Sequence, residues 1–299
     1  MKRILKLLNL RDESGAVLVM VAIAMVALLG FTALTIDGGR LFSEKSQLQN
    51  ALDAAVLAGA QGLKTSTTEA KAIAIDVATK NGFPITETDL TVTSDSIRAT
   101  KLVNVPLTFA RVLGKNDADV SATSKAVIAL LRSASGIAPI AVEEDEIPDG
   151  KELTCFNPGD QQGNCGFLAI DGSGAKTLKE AITNGSTYTV GTEVETEPGE
   201  MWGPVSSAIN DLIKADKDKT QCQSADTADS TCERVIYVVV TDTFEDASGR
   251  DVINVVGFAA YWIEGFSGKT LIGEFLERFE PGQIGGVDTG TIYGVKLVE

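Results

Sequence analysis

"GAVLVMVAIAMVALLG", residues Gly15–Gly30, stands behind the charged stretch "RDES" and decides how the rest of the chain is read. From Gly15 to Ile36 no residue is charged, and only Thr32 and Thr35 interrupt the apolar run before Asp37. At 1.5 Å per residue a helix of that length covers about 33 Å, against a bilayer core of roughly 30 Å. A cleaved secretory signal has an apolar region of only about 7 to 15 residues before a small-residue cleavage site, so the segment is read as a membrane anchor or the head of a pilin-type helix. Lys2, Arg3, Lys6 and Arg11 precede it. Cytoplasmic flanks hold the excess of Lys and Arg, so the body is expected outside the cytoplasm. The next long uncharged run, "VINVVGFAAYWI" at Val252–Ile263, is too short to span and reads as a buried strand.

Composition narrows the function. The chain has 299 residues, a formal charge of -15 and a pI near 4.5. Nucleic-acid binding needs a clustered basic footprint, and Lys and Arg are scattered beyond the N-terminus, so no nucleic-acid partner is expected. The chain contains no histidine, which removes the commonest general base and every Ser-His or Cys-His dyad. No carboxylate pair, Ser-Lys dyad or carboxylate metal site is readable from spacing. We therefore expect no catalytic residue, no cofactor, no metal and no small-molecule substrate.

Beyond the span runs "DGGRLFSEKSQLQNALDAAVLAGAQGL". Leu41, Leu48, Leu52, Ala55 and Gly59 recur at near-heptad spacing, and Ala51, Ala54, Ala58 and Ala60 keep the surface small, so an amphipathic helix continues out of the membrane. Small residues permit close helix packing. That face either covers the protein's own soluble domain or packs against partner subunits, and both remain open here.

These residues carry a resemblance. Gly15 opening the span, "TIDGGRLF" at its exit with Asp37, Gly38, Gly39 and Arg40, and "LQNALDAAVLAGA" with Asp53, Ala54, Ala55, Ala58 and Gly59 resemble the N-terminal module of TadE/TadG-like proteins of Flp (tight-adherence) pilus assembly. The pattern continues through "VNVPLTFARVLGKNDADVSATSKAVIAL", so the likeness covers roughly residues 11–131. It implies a bilayer-anchored protein whose partners are other pilus-assembly or pilin-like membrane proteins. Relatives cut by a prepilin peptidase have a Glu five residues after the cleavage glycine. Counting from Gly15, that position is Met20, which argues against the cut and favours an uncut, TadG-like form over a processed minor pilin.

The expected fold class is α+β: residues 1–14 cytoplasmic, 15–36 spanning, 37–132 a helix with a small antiparallel sheet, and 137–299 a β-rich extracytoplasmic domain. A second helix starts at Thr67, with Thr67 as N-cap and Asn81-Gly82 as stop. "DLTVTSDSIRAT" and "KLVNVP" read as strands, and "RSASGIAP", residues 132–139, as a linker. Further strands are expected at "FLAID", "STYTVG", "VIYVVVT" and "VINVVGFAAYWIEG". Helices are expected at "AKTLKEAIT", "GPVSSAINDLIKAD" and "LIGEFLERF". The stretches "GNCGFLAIDGSG", "VETEPGEMWGPVSSAI" and "INVVGFAAYWIEGF" also resemble C-terminal halves seen on some TadE/TadG-like proteins, without implying an activity.

The cysteines form two similar pairs, Cys155 with Cys165 and Cys222 with Cys232, each enclosing nine polar, turn-rich residues. Outside the cytoplasm this spacing predicts two local disulfides; a zinc site lacks the short C-x2-4-C spacing it would use. "FLAIDGSGA" followed by "VIYVVVTD" is similar to the metal motif of von Willebrand factor A domains, which would make the protein a metal-dependent adhesion module. Asp171 and Ser173 match, but Ala175 has no oxygen for a hard cation, so a glycine turn is expected there. "EEDEIPD", Glu143–Asp149, is expected to be a solvated acidic linker rather than a calcium loop.

Overall fold

The computed structural model describes residues 13–147, 152–154, 164–169, 175–198, 202–244, 250–268, 270–285 and 289–298. The chain divides into two compact units, residues 1–125 with 298–299, and residues 126–297. The class is α+β, as the sequence indicated.

In the first unit a single helix, α1 (Glu13–Gln61), carries the apolar segment and the small-residue segment without a break. Its two halves have opposite surroundings. Between Val17 and Ile36 every side chain is exposed except Ala33, which is half-buried. Farther on, Leu48, Leu52, Ala55, Val56 and Ala60 are wholly buried. The helix α2 (Thr67–Lys80) packs against that buried half. Its N-cap is Ser66, whose side chain accepts from Glu69 N at 3.0 Å, not Thr67; Ser66 holds the extended conformation a cap needs while Thr67 is already helical. The buried face of α2 is Ala70, Ala74 and Ala78, and Gly82 ends the turn after it with φ +85°.

The strand β1 (Leu90–Val92) pairs antiparallel with β2 (Ser96–Pro106), placing Ile97 and Ala99 in the core. "KLVNVP" is thus the second half of β2, not a separate strand. A short 3-10 helix, Ala110–Leu113, follows and is closed by Gly114 at φ +82°. The next strand, β3 (Asp117–Glu143), neighbours β2 and carries the chain into the second unit.

The linker expected at residues 132–139 is corrected here: the stretch lies inside β3, with Ala134, Ile137 and Ala138 buried. Its Ser-Gly-Pro composition marks a bulge instead. Gly136 has φ +80°, and pairing shifts register between Ala134 and Ile137, as glycine and proline do inside strands. The division between units falls at Lys125/Ala126.

The second unit continues with β4 (Glu152–Thr154), β5 (Asn164–Leu168), α3 (Ala175–Asn184), β6 (Ser186–Thr189), β7 (Glu193–Pro198), α4 (Trp202–Ala215), β8 (Val235–Thr241) and β9 (Val252–Ser267). It ends with β10 (Thr270–Leu276), β11 (Arg278–Phe279), β12 (Gln283–Ile284), β13 (Thr289–Gly290) and β14 (Ile292–Val298). Pairing of β3 with β5, β5 with β7, β7 with β9, β9 with β8 and β8 with β3 makes a closed circuit of strands. β8 is apolar at consecutive positions because both its faces are covered. Ile236, Val238 and Val240 pack with Leu178 of α3 and with Val205 and Ile209 of α4. Val235 and Val239 face the opposite core with Phe258 and Trp262.

"LIGEFLERF" is not a helix. It forms β10 and β11, β10 pairing antiparallel with β9. Leu271 and Phe275 have helical spacing, but a Cβ on Gly273 would run into the carbonyl oxygen of Trp262. Only glycine admits that approach, and the partner strand overrides the local pattern.

Candidate functional site at the exit of the apolar helix

Asp37 is the first charged residue after the apolar run, yet it is 5 % exposed. Its carboxylate accepts three backbone N–H bonds from one loop: Thr108 at 2.8 Å, Phe109 at 3.0 Å and Ala110 at 2.7 Å. These amides open the 3-10 helix, where successive donors lack partners within the helix, and the 3-10 helix packs on α1. The aspartate of "TIDGG" thus fastens a loop more than 70 residues away to the helix at the point where it leaves the apolar segment. Burial pushes its carboxyl upward, but the three N–H donors and nearby Arg40 outweigh this and hold it below its ordinary 3.8.

A carboxylate held below its unfolded value stabilises the fold above that value and ceases to do so as pH falls through the folded one. Asp89 behaves alike: burial raises it, but the Thr86 N–H and the Lys101 ammonium at 3.0 Å win. The first unit should therefore be pH-insensitive through neutrality and lose stability as pH drops below about 4. Asp37→Asn should shrink that acid dependence, which denaturant titrations at several pH values would measure.

The second half of the motif is consumed inside the unit. A Cβ on Gly59 would lie 2.8 Å from Ala70 O, 2.9 Å from Ala74 Cβ and 2.9 Å from Ile97 Cδ1. Gly62 meets α2 equally closely. Ala55 is buried, and Ala54 and Ala58 are half-buried. Of the two readings of the small-residue face, the described contacts match the one in which it covers the protein's own domain. Asp53 accepts from Gln49 Nε2 at 2.8 Å, and Gln49 reaches Thr123 O at 3.0 Å.

Gly38 and Gly39 differ, since a Cβ on either meets nothing within 4 Å. Helix propensity then predicts that Gly38→Ala and Gly39→Ala each raise stability by up to about 1 kcal/mol. Thermal unfolding of the two variants checks this. Arg40 is exposed, as is Met20, the position where cut relatives have glutamate, and Gly15 lies in the first turns of α1.

In the second unit Cys222 and Cys232 form the expected disulfide, with Cα atoms 5.4 Å apart. Cys155 and the side chain of Cys165 lie outside the described residues. The bonded pair excludes a zinc centre built from all four cysteines. Beneath it sits a polar cluster that the sequence did not signal. The Cys222 carbonyl accepts from Trp262 Nε1 at 3.0 Å and from Arg234 at 3.4 Å, and the Arg234 guanidinium lies 5.1 Å from the Trp262 ring centroid. Buried Asp216 accepts from Arg234 N at 2.8 Å and pairs with Lys219 at 2.8 Å. Burial raises its carboxyl, but these partners hold it below the ordinary range.

Asp171 and Ser173 of the adhesion-type motif lie outside the described residues, as does the side chain of Ala175. The end of the second strand of that motif is described: Asp242 accepts from Thr241 and from Thr243 N, closing a local turn. In the acidic stretch, Glu143 accepts from Phe244 N at 2.6 Å and Glu144 from Thr289 Oγ1 at 2.6 Å. These two carboxylates brace neighbouring loops, Glu144, Asp145 and Glu146 are exposed, and Pro148 and Asp149 lie outside the described residues. A cleft of about 510 Å3 lies along β3 and is lined by Leu131, Ser133, Ile137, Tyr237, Glu280 and Gln283. Its Tyr237 hydroxyl donates to Glu280, so its main polar pair is satisfied internally.

Among the described residues α1 is the one helix long and apolar enough to cross a membrane, and its exposed apolar half fits a single-pass membrane protein. No curated protein and no solved structure matches the chain. Residues 15–62, which run from the opening glycine of the apolar segment through Asp37 to the glycines packed on α2, match the family described as "Putative Flp pilus-assembly TadE/G-like".

Proposed function

We propose that the protein is an uncut, single-pass membrane protein with its N-terminus in the cytoplasm and residues 37–299 outside. It acts without catalysis in Flp/Tad-type pilus assembly or a related surface structure, through contacts with other membrane proteins of that system. The observation that carries this is the division of α1 into an exposed apolar half and a packed half joined at Asp37, all within the matched 15–62 stretch. Such a helix holds a folded body against a bilayer. Three further features support the reading: the basic residues before the span, the Cys222–Cys232 disulfide, which suits an oxidising compartment, and the lack of histidine.

The mature N-terminus tests it. Intact-mass measurement of the protein from membranes should give a chain that retains the residues before Gly15. A chain beginning at Ala16 would mean that the protein is a processed subunit of a filament. External protease should remove the body from intact protoplasts, and full protection would invert the topology.

A further inference from the structure

We propose that the loop Leu107–Lys115 is a second membrane contact, seated in the interface of the leaflet from which α1 emerges. This rests on the reading of residues 15–36 as a span. The loop is fixed at that level by Asp37, one residue beyond the apolar run. Ala33, four residues before Asp37, is the single partly covered side chain of the Val17–Ile36 stretch. It lies on the Asp37 face of α1, about 6 Å farther toward the membrane. The 3-10 helix packs on α1, so part of the first unit reaches the level of the span itself.

What the loop shows there is apolar. Val112 is 88 % exposed and Phe109 is 40 % exposed. Exposed Arg111, Lys115 and Arg40 accompany them, and no acidic residue falls between Leu107 and Lys115. The nearest acids after the loop, Asp117 and Asp119, accept from Asn104 Nδ2 at 3.2 and 2.9 Å. Aromatic and aliphatic side chains flanked by basic ones are the composition of a headgroup-level anchor. A bilayer is the occupant that α1 itself brings to this place.

The experiment uses the full chain, reconstituted in vesicles whose phospholipids bear a spin label close to the headgroup. Tryptophan is placed at Val112 or Phe109, and a control tryptophan at Val26 inside the span, each read as the difference from the unaltered chain, whose own emission comes from Trp202 and Trp262. Emission from Val112→Trp and Phe109→Trp should be blue-shifted, and about half of it lost to the shallow label, as for side chains roughly 5–10 Å into the headgroup boundary. If both loop reporters emit as in water while Val26→Trp is shielded and quenched by labels deeper in the acyl chains, the proposal is overturned and the anchor stands. Blue-shifted emission insensitive to labelled lipid would mean that protein covers the patch, and likewise overturns it. If Val26→Trp is unshielded, the span reading fails and takes this inference with it.

Discussion

Replacing Gly59 by valine is expected to destabilise the first unit by about 3 kcal/mol, the upper part of the range for overpacking a close-packed contact. A single added Cβ already comes within 2.9 Å of three separate groups, and one of them, Ala70 O, is backbone. No rotamer change relieves that approach, so α2 would have to move off α1. Moving it would open the core made by Val56, Ala74 and Ile97, each of them wholly buried. The helix-propensity gain from losing a glycine is at most about 1 kcal/mol and does not offset this. Denaturant unfolding of the full chain should show the loss in the first unit, while Gly38→Ala, on the same helix with open space around it, moves slightly the other way. Equal behaviour of the two positions would refute the packing assignment.

Removing the disulfide has a comparable effect on the second unit. Closing the loop between Cys222 and Cys232, which are 10 positions apart, stabilises by about 3 kcal/mol on the chain-entropy account. The double variant Cys222→Ala, Cys232→Ala also frees the segment whose carbonyl at Cys222 is shared by Trp262 and Arg234. Arg234 is 6 % exposed; without that acceptor its guanidinium keeps the Glu264 carbonyl at 3.4 Å and the face of the Trp262 ring. Buried donors left without partners add to the cost. For a unit of this size the melting temperature should fall by about 10 °C, measured by calorimetry on the full chain. An unchanged melting temperature would mean that the loop is held by its hydrogen bonds alone.

The two halves of the chain differed in how far they could be read. α1, its passage from apolar to small-residue surface, and strands β8 and β9 were all visible, because each is written in local periodicity. Asp37 was visible as a motif member but not as a clamp. Its partners are backbone amides 71 to 73 positions away, and amides have no side-chain signature. The stretch "RSASGIAP" misled because the residues that make linkers also make bulges, and only pairing with β6 and β8 tells the two apart. "LIGEFLERF" misled because its helical spacing is shared by a strand whose neighbour is already in place. The cluster of Asp216, Arg234 and Trp262 draws on three distant segments, so nothing near any one of them announced it.

Asp37 clamps the loop at Thr108–Ala110 to α1 where the apolar half of the helix ends, and amide hydrogen exchange at Thr108, Phe109 and Ala110 tests this most directly. In the intact protein at neutral pH these three amides should exchange slowly despite lying in a surface loop, and in Asp37→Ala all three should lose their protection together while the amides of α2 keep theirs. Fast exchange of the three in the unaltered chain, or protection that survives Asp37→Ala, would contradict the account.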